Sequence, residues 1–132
     1  MQSEVIPKEF FNLLPLPILI HKPLLDDLNS PIVFLNTQFL TEIGWTLEDI
    51  PDKNHWWQAA YPDATYQKVI ERQWELGVSN ALEKTESFVF INANIMSKFS
   101  GPRRYKIYTQ INSQMLPGYN VVAFGKSDEL SW

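Results

Sequence analysis

The stretch from 31 to 50 constrains the fold of this chain most, because two stop signals divide it into short elements. It reads P-I-V-F-L-N-T-Q-F-L-T-E-I-G-W-T-L-E-D-I. Residues 32–35 are a continuous run of apolar strand formers, which predicts a strand that is covered on both faces or lies in mid-sheet. Asn36 then supplies an N-cap side chain for a short helix. Gly44 is placed to end that helix as its C′ residue.

Length, charge and cysteine content narrow the class of protein. The chain has 132 residues, which is typical of one domain, and a hydrophobic content of 45%, which is typical of a globular core. Its net charge of -4 argues against a nucleic-acid partner, since phosphate binding needs a basic face. The absence of cysteine excludes disulfides and thiolate chemistry, and we expect a cytoplasmic location. No transmembrane segment is predicted: the most apolar window, 13–20, contains two prolines and is far shorter than the roughly 20 residues that a span needs.

Three further segments have helical patterns. In one of them, Asn54 can cap a helical turn that carries His55, Trp56, Trp57, Ala60 and Tyr61. Residues 8–14 follow Pro7 and are so rich in large apolar side chains that this helix should dock on the sheet, on a second copy or on a flanking domain. Asp63 is positioned to cap the longest helix, about 64–83, whose apolar residues recur at a helical period. Gly77 inside this helix indicates either a close approach to a neighbouring element or an early helix end.

The last third of the chain changes to the pattern of β-strands. Strands are predicted over 87–98 and 104–114, joined by a hairpin loop at 100–102, and a final strand is predicted over 119–124. With two strands in the first third of the chain, the predicted order of elements is α–β–β–α–α–α–β–β–β.

This order of elements resembles the PAS family of sensor domains. The resemblance rests on L-P-L-P-I-L-I at 14–20, P-I-V-F-L-N-T-Q-F-L at 31–40, G-W-T-L-E-D-I at 44–50, H-W-W-Q-A-A-Y-P-D at 55–63 and the three terminal strands. It implies an α+β fold with a five-stranded antiparallel sheet in spatial order 2-1-5-4-3, helices packed on one face, and an added N-terminal helix. The resemblance covers about residues 10–126, so we interpret 1–132 as a single PAS-like sensory domain.

The run H-W-W-x-x-x-Y-P-D is similar to a subgroup of bacterial signalling proteins in which the PAS domain often precedes a histidine kinase or a diguanylate cyclase. The resemblance therefore implies a sensory or regulatory module that binds a small ligand, forms a homodimer, or does both. Such a module controls an effector domain or a partner signalling protein. Two departures from the family are visible: the hairpin reads F-S-G-P-R-R at 99–104, and F-G-K-S-D-E-L at 124–130 replaces the exit motif D-I-T.

The resemblance leaves the cofactor open but argues against haem and cysteinyl-flavin. Haem ligands in the PAS family usually lie on the long helix, which has no histidine here, and a cysteinyl-flavin adduct needs a cysteine. The chain has two histidines, His21 and His55, and a metal site needs at least three ligands, so no metal is expected. We interpret His55 as hydrogen bonding locally at the start of a helix.

Candidate ligand-pocket residues are large aromatic side chains of the first two-thirds and polar side chains of the terminal strands: Trp45, Trp56, Tyr66, Trp74, Asn92, Asn94 and Thr109. Trp45 and Trp74 are more often core residues than ligand contacts. The polar residues need hydrogen-bond partners if they are buried, and a ligand, water or each other can supply them. Candidate dimer-interface residues are Phe10, Phe11 and Leu14, together with the exposed face of the sheet.

No catalytic residues are assigned, because no G-x-S-x-G, Walker, G-x-G-x-x-G or H-E-x-x-H motif is present. The alternative is a small cone-shaped α+β enzyme of the isomerase or hydratase kind, which also surrounds a pocket with a curved sheet and helices. Such folds usually begin with long helices, whereas two strands come first here. For that alternative, Asp26 or Asp27 with His21 is the one acid–base pair that is close in sequence.

Overall fold

The computed structural model describes residues 6–24, 29–84, 88–110 and 116–126. The helices are α1 (Lys8–Leu13), α2 (Thr37–Glu42), α3 (Lys53–Ala60) and α4 (Ala64–Glu83); the strands are β1 (Ile18–His21), β2 (Ile32–Leu35), β3 (Phe88–Ser97), β4 (Gly101–Gln110) and β5 (Asn120–Lys126). The predicted order of elements is confirmed. The predicted strand residues 87 and 111–114, and the pair Asp26 and Asp27, lie outside the described residues.

The described strands form one antiparallel sheet in the order β2-β1-β5-β4-β3, as the resemblance implies. The central strand β5 pairs with β1 on one side, where His21 lies opposite Asn120. It pairs with β4 on the other side, where Thr109 lies opposite Val122. Directly opposite residues share a face of the sheet, so this register determines which side chains of distant segments meet.

The hairpin between β3 and β4 is tighter than the sequence predicts. Gly101 and Pro102 pair with Ser97 and Met96, so they belong to β4 and not to the loop. The Ser97 hydroxyl closes the turn, because it donates to the Gly101 carbonyl oxygen at 2.7 Å and accepts from the Ser100 N–H at 3.1 Å. A side chain that replaces backbone hydrogen bonds in this way is hard to recognise from composition alone.

Helices α2, α3 and α4 pack on one face of the sheet, which we call the inner face. Phe124 of β5 is at the centre of this core: its ring lies 5.7 Å from Phe39 of α2, 5.7 Å from Trp56 of α3 and 6.0 Å from Tyr105 of β4. Tilted and edge-to-face contacts at these separations are the favourable geometry for aromatic side chains. The aromatic residues therefore join two helices to the middle of the sheet.

The helix α1 packs on the opposite, outer face. Phe11 contacts Phe34 of β2, with ring centroids 6.3 Å apart. Ile18 and Ile20 of β1 are fully buried in the same cluster, and Leu14 packs against it. Of the three docking partners that the sequence left open for this helix, the structure shows the chain's own sheet.

The long helix α4 begins and ends as predicted. Asp63 caps it by accepting from the Thr65 N–H at 2.9 Å. A Cβ atom on Gly77 would lie 3.0 Å from a methyl group of Val89 in β3, so the glycine marks a close approach of helix to strand and not an early end. The preceding helix α3 differs from prediction, since its cap is Asp52, which accepts from the His55 N–H at 2.9 Å, and Asn54 lies inside the helix.

Asn36 connects α1, β1 and α2 through one buried side chain. Its Oδ1 accepts from the Phe39 N–H at 2.9 Å, as an N-cap does, and also from the Ile18 N–H at 2.8 Å. Its Nδ2 donates to the carbonyl oxygens of Phe11 at 2.8 Å and Leu16 at 3.0 Å. All four hydrogen-bonding positions of the amide are therefore used inside the protein.

Replacing Asn36 should destabilise the fold strongly. Asn36→Ala removes an N-cap and takes away the partners of the Ile18 N–H and the Leu16 carbonyl oxygen, whereas the Phe11 carbonyl oxygen keeps the Leu14 N–H at 3.3 Å. We therefore expect the free energy of unfolding to fall by about 3 kcal/mol or more. Urea denaturation followed by tryptophan fluorescence measures the loss. Asn12→Ala is the matched control, because Asn12 also accepts one bond, from the Thr37 N–H, but at an exposed position. It should cost about 1 kcal/mol or less, and equal losses in the two variants would contradict the role of Asn36.

Candidate functional site

A cavity of about 240 Å³ lies between the inner face of the sheet and helices α3 and α4. Its walls come from α3 and α4 on one side and from β1, β2, β4 and β5 on the other. An apolar cavity of about 150 Å³ is large enough for benzene, whereas pockets for drug-sized ligands begin near 300 Å³. The space therefore suits a molecule of one ring with a short substituent.

The aromatic part of the cavity wall is built mainly by the H-W-W…Y-P-D segment. Trp56 and Trp57 belong to α3, Tyr61 follows that helix directly, and Trp74 comes from α4. Asp52 starts α3 and Tyr61 ends it with an N–H bond to the Trp57 carbonyl at 2.9 Å, so both adjacent tryptophans are held on a short rigid helix. Trp56 is buried and Trp57 is half-buried, as their adjacent positions predict, but both reach the cavity.

One end of the cavity wall, which we call the polar corner, contains His21, Lys53 and Asn120; Thr109 and Gln110 are the other polar residues of the wall. Ser30 positions two of these residues: its hydroxyl lies 3.1 Å from His21 Nδ1, and its carbonyl oxygen accepts from the Lys53 N–H at 2.9 Å. Asn120 is placed by its register opposite His21. Residues more than 30 positions apart in the chain therefore meet at one end of the cavity.

The electrostatics of the polar corner favour a neutral imidazole. Burial and, to a smaller extent, the positive charge of Lys53 together lower the pKa of His21 from 6.5 to about 4. Burial disfavours the charged form of a histidine because a low-dielectric site solvates an imidazolium poorly. At neutral pH the corner therefore holds one ammonium, one neutral imidazole and one carboxamide.

Three of the seven predicted pocket residues line the cavity: Trp56, Trp74 and Thr109. The Thr109 hydroxyl donates to the Val121 carbonyl oxygen at 2.9 Å, so the protein itself satisfies this buried group. His21, Lys53, Trp57, Tyr61 and Asn120 were not predicted. The tryptophan and tyrosine belong to a motif that the sequence displays, but the polar corner has no local signal, because its members come from three separate elements.

The structure places Trp45 and Tyr66 beside the backbone edge of β3, the last strand of the sheet, and not in the cavity. The Trp45 indole N–H donates to the Met96 carbonyl oxygen at 2.9 Å, and the Tyr66 hydroxyl accepts from the Asn94 N–H at 2.9 Å. Both side chains thereby satisfy backbone groups of a strand at the end of the sheet. Covering such an edge prevents it from pairing with another chain.

Asn92 and Asn94 lie on the exposed outer face of β3, away from the cavity. The strand alternates strictly, with Val89, Ile91, Ala93 and Ile95 buried on the inner face. The intervening residues must point outward. The side chain of Asn94 accepts a hydrogen bond from Arg104, its cross-strand neighbour, at 3.1 Å, so it is satisfied on the surface.

A second, almost wholly apolar groove of about 250 Å³ lies on the outer face, between α1 and strands β3, β4 and β5. The predicted interface residues divide here: Phe11 and Leu14 pack into the chain's own outer cluster, whereas Phe10 stays 55% exposed. Phe88 and Phe90 of β3 are also 57% and 50% exposed. The exposed apolar surface therefore continues from the helix onto the sheet.

Two other kinds of feature, a metal site and a membrane-spanning helix, are absent from the described residues. Within the described ranges, no group of three or more His, Asp or Glu residues is placed to hold a metal ion. None of the helices in the same part of the chain is long and apolar enough to cross a membrane. His55 bonds locally at the start of α3, as predicted, with its Nδ1 2.7 Å from the Asp52 carboxylate.

Comparison with solved structures identifies the fold as that of PAS domains of the light-oxygen-voltage (LOV) kind. The LOV protein of Rhodobacter sphaeroides is similar, with a TM-score of 0.59, 15% identity, and coverage of 93% of this chain and 69% of that one. A structure described as a flavin-analogue study of a LOV domain has a TM-score of 0.59 and 15% identity over 92% of this chain and 84% of that one. An RNA-binding LOV receptor has a TM-score of 0.56 and 11% identity over 96% of this chain and 35% of that one.

The likeness to these structures is one of fold. The chain spans 63% to 69% of the length of three matched LOV structures, so the activities of those whole proteins are not transferred to it. A scan against models of protein families finds no match, and neither does a search of curated protein sequences. The α+β fold with its five-stranded antiparallel sheet is nevertheless shown.

A flavin does not fit the residues present. The cavity of about 240 Å³ is smaller than three fused rings with a phosphorylated side chain require, given that benzene alone takes a cavity of about 150 Å³. The chain also has no cysteine at any position, so it cannot form a cysteinyl-flavin adduct. The volume of the cavity therefore fits a molecule smaller than a flavin.

The depressed pKa of His21 predicts that the free energy of unfolding decreases as the pH is lowered. The unfolded chain, with the ordinary pKa of 6.5, binds the proton before the folded chain, whose pKa is about 4. The contribution of neutral His21 to stability is therefore fully present above pH 6.5 and is lost as the pH falls toward 4. At pH 5 the free energy of unfolding should be lower by about 2 kcal/mol. Urea denaturation at pH 7 and pH 5 should show this loss in the parent and in His55→Gln, but not in His21→Gln. An unchanged pH dependence in His21→Gln would refute the assignment.

Proposed function

We propose that this chain is a sensory module that binds a small molecule between the inner face of the sheet and helices α3 and α4. One observation carries the proposal: an aromatic-lined cavity with a polar corner lies inside the core of a sensor fold. A dense core would leave few voids larger than a water molecule. A space of this size with polar groups at one end is the usual form of a ligand site.

Strand β1 is the route by which such a ligand would act on the outer face. Leu19 and His21 line the cavity, whereas the alternate residues Ile18 and Ile20 are buried beneath α1. A change in the position of β1 would therefore alter the packing of α1. A ligand that binds one arrangement more tightly than the other shifts the population between them, and that shift is the signal.

We also propose that the module forms a homodimer through α1 and the outer face. The exposed side chains of Phe10, Phe88 and Phe90 and the apolar groove beside them favour this arrangement. Exposed apolar surface that is continuous over two elements is typical of an interaction site. Phe11 and Leu14, which the sequence also suggested, would support this interface from within the chain's own core.

The wider context of the module is a further part of the proposal. The resemblance of the H-W-W…Y-P-D segment to bacterial signalling proteins favours a cytoplasmic module that controls a histidine kinase, a diguanylate cyclase or another effector. We propose no enzymatic reaction for the domain itself. The cavity walls within the described residues contain no Asp or Glu that an isomerase or hydratase would use as an acid or base.

Native mass spectrometry of freshly purified protein tests ligand binding. We expect a bound small mass that disappears on denaturation. Val78→Phe adds a ring to the cavity wall and should abolish the bound mass, since Val78 lines the cavity from α4. Val69→Phe is the matched control, because Val69 lies on the same helix but is 46% exposed. A bound mass retained in Val78→Phe, or absent from the parent, would contradict the proposed site.

Size-exclusion chromatography with light scattering tests the dimer. The double variant Phe10→Ser, Phe88→Ser should weaken self-association roughly a hundredfold, because each side chain would contribute about 1–2 kcal/mol at the interface. The double variant Leu76→Ser, Leu82→Ser is the control, since these residues are 57% and 56% exposed on α4, which packs on the inner side of the sheet. A monomeric parent would refute this part of the proposal.

A further inference from the structure

The charges around the cavity select the chemistry of its ligand. Lys53 is the one side chain with a full charge at neutral pH among the described lining residues, and no Asp or Glu lies among them. In addition, Lys53 makes no salt bridge within the described part of the chain. A positive charge at a half-buried position with no counter-ion among the described residues attracts an anion, because the low local dielectric strengthens the interaction.

Several polar groups of the cavity have no side-chain hydrogen-bond partner among the described residues, and these groups can donate hydrogen bonds. Tyr61 is 3% exposed, and its hydroxyl has no hydrogen-bond partner in the described ranges. Burial raises its pKa well above the ordinary value, and the neighbouring Tyr66 adds to this effect, so the phenol keeps its proton. The indole N–H groups of Trp57 and Trp74 and the amide of Asn120 also make no side-chain hydrogen bond in this part of the chain.

These unpaired donors need acceptors. No fully buried side-chain polar atom among the described residues lacks a hydrogen-bond partner. A molecule that is rich in acceptor atoms would satisfy several of them at once, and a carboxylate offers about four acceptor positions. Hydrogen bonds to a charged acceptor are also stronger than those to a neutral one.

The aromatic walls alone would not decide between an anion and a cation. Tryptophan and tyrosine faces attract quaternary ammonium groups through their π-electrons, and four such side chains line this cavity. A cationic ligand would, however, share the cavity with the Lys53 ammonium and find no carboxylate among the described lining residues. The repulsion between like charges in a half-buried site opposes that alternative.

Resting on the proposed ligand-binding function, we propose that the cavity takes a small organic anion with a planar apolar ring and one carboxylate. The carboxylate lies at the polar corner near Lys53, and the ring lies among the tryptophans. The volume of about 240 Å³ accommodates a ring of benzene size with one short substituent. The ligand class is therefore the aromatic monocarboxylates of about ten non-hydrogen atoms.

Three probes of similar size test the ligand class directly: benzoate, neutral benzamide and cationic benzylamine. Each is titrated into the full chain, and binding is followed by NMR through the indole N–H signals of the five tryptophans. We expect benzoate to bind at least about tenfold more tightly than either other probe, the factor that one charge-assisted hydrogen bond produces. We expect Val78→Phe to block benzoate and Val69→Phe to leave its binding unchanged.

The lysine is tested by a matched pair of substitutions. Lys53→Met keeps the length of the side chain and removes its charge, so it should weaken benzoate binding by roughly tenfold to a hundredfold and benzamide binding by less than about twofold. Lys68→Met, at an exposed position on α4 outside the cavity wall, should change neither. Equal losses for benzoate and benzamide in Lys53→Met would show a structural effect and overturn the proposal.

Failure of this inference can be separated from failure of the proposed function. Benzamide or benzylamine binding as tightly as benzoate would overturn the anionic class while leaving a ligand sensor in place. If none of the three probes shifts the indole signals at roughly 10 mM, where a millimolar site is largely occupied, the assignment of an aromatic carboxylate as the ligand would be overturned. In that case a bound mass in native mass spectrometry would still support the sensor, and its absence would remove both proposals.

Discussion

The structure depends most on the side-chain hydrogen bonds of Asn36. Backbone groups of three segments converge on this side chain: carbonyl groups of α1 and of the residues that follow it, the N–H of the first residue of β1 and the open N-terminus of α2. One carboxamide satisfies groups of all three, at distances of 2.8–3.0 Å. A buried amide with every position used is rigid as well as stabilising. The two faces of the sheet are consequently held in one relative position, with α1 on the outer face and α2 on the inner face.

This arrangement makes β1 a two-sided strand, and the candidate site depends on that property. Leu19 and His21 face the cavity, whereas Ile18 and Ile20 are buried in the cluster beneath α1. A strand buried on both faces transmits displacement because close-packed side chains cannot yield on one side without moving on the other. The cavity and the exposed apolar surface are thus separated by a single layer of backbone.

Much of the fold is readable from local sequence because local physics decides it. Asn36 and Asp63 are short polar side chains directly before apolar periodic segments, and the structure uses both as helix caps. Gly44 adopts a φ of +91° where a helix ends and where a Cβ would lie 3.0 Å from the Lys98 side chain, so a glycine is needed on two grounds. Prediction failed where a side chain substitutes for backbone, as Ser97 does in the β-hairpin. It also failed where two caps compete, as Asp52 and Asn54 do before α3.

The sequence by itself determined the order of helices and strands and the alternation of β3, because both follow from periodicity and capping within a few residues. The tertiary structure decided which predicted residues meet. The inward register of β3 sends Asn92 and Asn94 to the surface, and the edge of the sheet recruits Trp45 and Tyr66. The pairing of β1 with β5, and the contact of Ser30 with α3, bring His21, Asn120 and Lys53 together. Such contacts join residues that are distant in the chain, and no local pattern encodes them because strand register and layer packing are set by the whole core at once.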